Sequence, residues 1–169
     1  MDRKASFKGY FAVETLTIRH QLFEGGRSRP LRRKFFQRGD VLVVLPWNPV
    51  SAEVVLIEQF RVGKMRDEDS LRMLGLIARI AEPGESDTPL AQRKAQQEAA
   101  CQVGRLEPIA TFYPCAGACS EQIRLFVGEA TVTRPGTVQG LDGEHEDIFV
   151  HQMPRGSVLA MLDHIEINN

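Results

Sequence analysis

The apolar residues of this chain fall mostly into short runs, and the spacing of those runs predicts strands over most of its length. From Phe11 to Phe23 the chain is rich in Thr, Val, Ile and Phe, which predicts one strand or a bent pair of strands. Glu24-Gly25-Gly26 follows as a turn signal. Val41 to Leu45 and Val54 to Ile57 are continuous apolar runs, the pattern of strands covered on both faces. Pro46 to Ser51, with two prolines and an Asn, reads as the loop between them. Lys64 to Ser70 is charged and reads as a loop, while Leu71 to Ile80 is apolar and fits either a strand or a helix.

The clearest helix signal comes next. Glu82-Pro83-Gly84 is a turn, and Ser86, Asp87 or Thr88 can cap a helix, with Thr88 before Pro89 the best fit. The helix is expected to run to about Cys101 and to stop before Gly104. Its apolar side is a narrow row at spacing four, Ala91, Ala95 and Ala99, small enough to let the helix backbone approach a sheet closely. Ile109 to Tyr113, Ile123 to Val127 and Ile148 to Val150 read as further strands, and Gly156 to Leu162 as a short last helix. Several strands around one strong helix predict an α+β domain with a mixed sheet.

Composition narrows the function classes. The chain has 169 residues, 43% hydrophobic and 25% charged, the profile of one globular domain able to bury its own core. Its formal net charge of −1 gives no global attraction to nucleic acid or to an anionic membrane. No apolar run approaches the roughly 20 residues of a membrane span, and Met1 to Tyr10 is polar, unlike a signal peptide. Three cysteines, Cys101, Cys115 and Cys119, suit a reducing compartment, so a cytoplasmic location is expected.

One stretch carries a motif. A Glu at 85, an Arg after seven further residues at 93, an apolar Ala95, a Glu at 98 and an apolar Cys101 keep the spacing of the Nudix box, and the Glu82-Pro83-Gly84-Glu85 turn resembles the loop of that motif. The box has Gly where this chain has Arg79, Glu where it has Lys94 and Gln97, and Gly where it has Ala100. The surroundings match at the right distances: Val54 to Arg61 resembles the strand preceding the box, Phe112-Tyr113-Pro114 with Gly117 to Glu121 resembles a Tyr-Pro-Ser-Pro-Gly segment, and Gly143 to Ile148 resembles the acidic loop opposite the box. Across about Asp40 to Val150 the chain therefore resembles the Nudix hydrolases of the ADP-ribose and ADP-sugar pyrophosphatase type.

The resemblance implies a Nudix fold, an α/β/α sandwich with an N-terminal strand segment. Residues 1–38 would be that segment and a dimerisation element, and 39–169 the core of a single domain. It implies Mg²⁺-dependent (or Mn²⁺-dependent) hydrolysis of ADP-ribose or a related nucleotide sugar to AMP and a sugar phosphate, by a homodimer. The Ala78 carbonyl, Gln97, Glu98 and Glu146 would be the metal ligands, and Glu98 with Glu144 or Glu146 the catalytic carboxylates. Arg61 and Glu121 would contact substrate, and Glu85 and Arg93 would brace the motif. The alternative is a catalytically inactive nucleotide-binding or scaffold protein on the same fold, which Lys94 and Gln97 favour. In the family an Ile-Asp/Glu-Asn segment like Ile165 to Asn169 leads into one more helix, which is expected to be missing here.

The chemistry explains why those positions matter. Mg²⁺ wants hard oxygen ligands, and carboxylates at helical spacings of three and four aim at one cluster of ions. Here Lys94, Gln97 and Glu98 share that face and only Glu98 is anionic, so divalent ions are expected to bind weakly if at all. Lys94 reads either as a solvent-exposed helix lysine or as an ammonium that replaces a metal's charge and binds phosphate. The run Glu144 to Asp147 reads equally as a solvated acidic loop, with His145 a surface histidine. Cys115 and Cys119 lack a second pair at zinc spacing, so idle thiols are the expectation. The basic run Arg27 to Arg38 reads as a solvated strand edge, an anion site or a dimer interface.

Overall fold

The computed structural model describes residues 1–66, 70–82, 84–132, 134–164 and 166–167, which group into two compact units. One comprises 1–41 with 111–123, the other 42–110 with 124–169. Segment 111–123 thus joins the N-terminal strands, a grouping that the split into 1–38 and 39–169 does not contain.

In the first unit, β1 (Asp2–Lys8), β2 (Ala12–Ile18) and β3 (Leu31–Gln37) form an antiparallel sheet in that order. β1 has no apolar run, which is why the sequence hid it: all seven of its residues are exposed and its pairing rests on the backbone ladder. Half of the basic run, Arg32, Arg33 and Lys34, lies in β3, an edge strand of this sheet. Lys34 Nζ reaches across to donate to Thr15 Oγ1 at 2.8 Å, and Arg3 pairs with Glu14 at 3.0 Å. Segment 111–123 is tied to β3 by a parallel bridge from Phe36 to Cys119 and by Ser120 Oγ, which accepts from Arg38 N and donates to Arg38 O.

The eight-stranded sheet runs β10 (Val138–Gln139), β11 (Ile148–Pro154), β5 (Glu53–Phe60), β4 (Val41–Asn48), β9 (Ile123–Val132), β8 (Cys101–Phe112), with β6 (Arg72–Gly75) on β5 and β7 (Ile77–Ile80) on β4. The ambiguous apolar stretch 71–80 is therefore two short strands. β4 continues through Pro46 and Trp47 to Asn48, so the expected loop is shorter than the prolines suggested. Pro46 is buried in the strand, and Trp47 pairs with Val54. The charged segment 64–70 begins as a 3₁₀ turn, Val62–Arg66, and its residues 67–69 lie outside the described residues.

β5 explains the layering. Its alternating side chains leave on opposite faces. Val55 and Ile57 join Ile148, Val150, Ala95, Ala99 and Cys101 in one core, beneath α1 (Asp87–Ala99). Val54 and Leu56 join Val158 of α2 (Arg155–Asp163) in another. A strand covered on both faces reads as a continuous apolar run, and the result is an α/β/α sandwich.

Helix α1 starts and stops earlier than the sequence suggests. Ser86, not Thr88, is its N-cap, which puts Pro89 at the third helical position. Pro is tolerated there because the first-turn N–H groups have no intrahelical acceptor. Asp87 in the first turn complements the helix dipole and accepts two hydrogen bonds from Arg124, at 2.8 and 3.1 Å. The helix ends at Ala99 because Ala100 turns left-handed at φ 46°, and its N–H closes on the Ala95 carbonyl. Cys101 already belongs to β8. Ala91, Ala95 and Ala99 are fully buried, and Leu90 adds a bulkier contact to Leu42 and Val44.

Leu90→Ala is expected to lower the unfolding free energy by about 2–5 kcal/mol in urea titrations, because a 0% exposed side chain leaves a cavity. Val50→Ala, at a 94% exposed position, is expected to stay within about 0.5 kcal/mol of the parent.

Candidate active site

The charged groups converge where α1 faces β7 and the acidic loop before β11. Strands β5 and β11 pair antiparallel, with Glu58 opposite Phe149 and Gln59 opposite Ile148. This pairing draws the start of Arg61 and the segment 140–147 towards one end of the sheet. Helix α1 packs on β5, β7, β10 and β11, which brings its buried stripe to the same end.

The stripe holds two charges. Lys94 and Glu98 are four apart on α1 and sit among Leu90, Ala91, Ala95 and Ala99. Their side chains are 2% and 5% exposed, and Lys94 Nζ lies 3.6 Å from Glu98 Oε1. Lys94 is thus the opposite of the solvent-exposed helix lysine that its residue type suggests. Among the described residues it is the largest of the fully buried side chains. A helix places positions four apart over one another, so Lys94 stands in line with the buried Leu90 and Glu98, beside the row of Ala91, Ala95 and Ala99.

Glu98 is the electrostatic centre. Burial raises its carboxyl to about 7, Lys94 works against that shift, Glu146 adds to it, and Arg61 and Arg79 oppose it. Arg61 in turn is lowered by burial and raised by Glu98 and Glu146. A guanidinium stays protonated through such a shift. These couplings bring Arg61, Arg79, Lys94, Glu98 and Glu146 into one field.

Glu146 is positioned by its loop. Its Oε2 accepts from the Leu141 N–H at 3.1 Å, and Gly140 stands at φ +119° with no room for a side chain. A Cβ there would lie 2.6 Å from Glu146 Cβ and 2.8 Å from its carbonyl oxygen, so glycine is what allows the loop to fold back on itself. Glu144 sits at the end of a 3₁₀ turn, Asp142–Glu144, and takes Arg79 as partner at 3.3 Å. Arg79 stands where the box has glycine, so what looks in the motif like a mere departure is a cation of the site.

Glu85 and Arg93 meet at 2.6 Å, and Glu85 also accepts from the Glu82 N–H at 3.2 Å. The hydrogen bond from Arg93 comes first among the causes that hold the Glu85 carboxyl below its ordinary range. The turn closes through a bond from Glu85 N to the Glu82 carbonyl, with Gly84 at φ +82°; Pro83 lies outside the described residues. Ala78 lies on β7, half-buried. Gln97 is half-buried on α1, and its Oε1 has no hydrogen-bond partner among the described residues. Glu121 belongs to the other compact unit, where Arg38 pairs with it at 3.3 Å.

The donor set can be compared with the divalent ions that the resemblance implies. Among the described residues no three His, Cys, Asp or Glu side chains group closely enough to hold an ion. The place beside the Glu98 carboxylate is taken by an ammonium. Gln97 offers one neutral oxygen, a weaker ligand for a hard cation than a carboxylate. These residues do not fit a cluster of divalent cations.

The helix that carries Glu98, the Arg61 that follows β5 and the acidic loop before β11 lie in the order that the Nudix resemblance implies. A solved structure described as an ADP compounds hydrolase superposes with a TM-score of 0.71 over 100% of this chain and 84% of that chain, at 18% identity, a likeness of fold. No family model matches the sequence. The ADP-ribose pyrophosphatase of Escherichia coli strain K12 is 36% identical over 167 residues, 99% of this chain and 80% of that protein. The ADP-ribose pyrophosphatase of Haemophilus influenzae is 31% identical over 172 residues, 100% of this chain and 79% of that protein. The GDP-mannose pyrophosphatase of Citrobacter koseri is 27% identical over 161 residues, 95% of this chain and 83% of that protein. This chain belongs to the ADP-ribose pyrophosphatase family of Nudix hydrolases.

Glu98 links stability to pH. Its carboxyl rises on folding from 4.5 to about 7, so the stabilisation is complete below pH 4.5 and is lost as pH climbs through about 7. Between those values the chain is expected to lose on the order of 3 kcal/mol in urea titrations. A Glu98→Gln variant, with no carboxyl to ionise at this position, is expected to lack that fall.

Proposed function

We propose that this chain hydrolyses the diphosphate of ADP-ribose or a related nucleotide sugar, releasing AMP and a sugar phosphate. The observation that carries this reading is the pairing of Arg79 on β7 with Glu144 of the acidic loop at 3.3 Å, where α1 with Glu98 packs on β7 and β11. The relatives' names support the substrate class, since they are pyrophosphatases of ADP-ribose and of GDP-mannose.

In this reading Arg61 presents its guanidinium fork to the oxygens of the diphosphate. Arg79 and Lys94 add positive charge on the same side. A water oxygen bonds to phosphorus, its proton passes to the carboxylate of Glu146 or Glu144, and the bridging P–O bond breaks to release the second phosphate monoester. The Leu141 N–H holds Glu146 for that task, and Arg79 holds Glu144. Glu85 and Arg93 fix the turn that leads into the helix. Mg²⁺ or Mn²⁺ binds weakly at most, through what remains of the ligand set.

Three free cysteines support a reducing, cytoplasmic setting. Exposed Phe7, Tyr10 and Phe23 in the N-terminal unit support pairing as a homodimer through segment 1–38.

The test is chromatographic detection of AMP from ADP-ribose. Arg61→Ala is expected to lower kcat/KM at least about tenfold, and Lys94→Glu with Gln97→Glu to raise Mg²⁺-dependent turnover by about 10–100-fold. AMP release by the double variant alone would make the parent chain a nucleotide binder without catalysis. Release by neither would remove the substrate class.

A further inference from the structure

We infer that Cys115 and Cys119 are a redox-reactive dithiol, a modification site that closes to an intramolecular disulfide by exchange with a small disulfide such as oxidised glutathione.

A single turn brings the two residues together. The Cys119 N–H donates to the Cys115 carbonyl at 2.9 Å, and the Ala118 N–H donates to the same oxygen at 3.2 Å. Five residues closed in this way make one helical turn, whose first and fifth Cα atoms stand about 6 Å apart at a rise of 1.5 Å per residue. Disulfides span Cα separations of roughly 4.4–6.8 Å. Residues four apart on such a turn share a face with Cβ atoms about 5–6 Å apart, so closure needs a shift of about 2 Å.

That shift falls on one side of the turn. Cys119 is held by its neighbours: the Phe36 N–H donates to the Ala118 carbonyl at 2.7 Å, and the Ser120 N–H to the Phe36 carbonyl at 3.0 Å. The Glu121 N–H donates to Cys119 Sγ at 3.5 Å, which holds the sulfur as well. Cys115 is exposed, and so are Pro114, Ala116 and Gly117 beside it. A Cβ built on Gly117 would meet nothing within 4 Å, so the turn has room to move there.

Reactivity follows access. Cys115 is exposed and Cys119 half-buried, whereas Cys101 is fully buried and burial pushes its thiol up to about 11. In the exchange, the Cys115 thiolate bonds to one sulfur of the small disulfide and releases the other as a thiolate. The Cys119 thiolate then bonds to Cys115 Sγ and releases the second. The two protons from the protein thiols pass to the two released thiolates, so the dithiol is oxidised and the small disulfide reduced. A loop this short constrains the unfolded chain little, so the bond is readily reduced again.

The test is incubation of the folded chain with oxidised glutathione, alkylation of the remaining thiols and tryptic mapping. Cys115 and Cys119 share the peptide Leu106–Arg124, and Cys101 lies in another. The shared peptide is expected to lose about 2 Da, the two hydrogens of the dithiol, with neither sulfur alkylated, and to take both labels after dithiothreitol. Cys115→Ser and Cys119→Ser are each expected to stop at one bound glutathione. Two glutathiones on the parent peptide, two alkylated thiols at every glutathione ratio, or a bridge to Cys101 or to a second chain would overturn the inference. The parent peptide alone decides, whatever the folding of the variants.

Discussion

The buried pair of Lys94 and Glu98 is the constraint around which the rest of the site is arranged. Two opposite charges lie 3.6 Å apart with almost no contact with water. Neither would be tolerated there alone, because an unpaired buried charge costs more than its removal as a neutral group. Together they occupy the helix face on which the Nudix box places carboxylates.

The sandwich makes the pair possible. Strand β5 buries Val55 and Ile57 under α1 and Val54 and Leu56 under α2, so the sheet has no wet face beneath the helix. The small side chains of Ala91, Ala95 and Ala99 let α1 lie close to that sheet. Close approach excludes water and strengthens every charge interaction along the stripe. It also explains why burial raises the Glu98 carboxyl although a lysine and two arginines pull it down. The same architecture carries a cation and a neutral amide at positions 94 and 97, where the Nudix box has glutamates. Fold and chemistry are separable in this way because the packing depends on the alanine row and the sheet, whereas the chemistry depends on the few side chains that share the stripe with it.

Much of this was legible in the residues. The unbroken run Val54 to Ile57 announced a strand covered on both sides, and the alanine row announced a helix pressed against it. Glu85, Arg93 and Glu98 stood at the spacing of a known motif, and Gly143 to Ile148 at the distance of its acidic loop. Strand β1 was not legible, because its residues are all exposed and carry no apolar alternation. Neither was the early helix start at Ser86, since Thr88-Pro89 looks the better cap until the first turn is seen to need no N–H at Pro89. The extension of β4 through Pro46 is hidden for a similar reason: proline breaks a ladder only where its N–H would have paired.

By itself the sequence determined the class of fold and the positions that carry charge, since apolar periodicity and motif spacing are local properties of the chain. Tertiary structure alone decided what those charges do. Lys94 reads as an ordinary helix lysine until the sheet closes over it, because burial is set by what packs against a face and not by the residue on it. The partnership of Arg79 with Glu144 and the tuning of Glu98 by Glu146 join residues far apart along the chain, which only the folded sheet brings together. Pairwise electrostatics depend on distance in space, and the chain records distance only along itself.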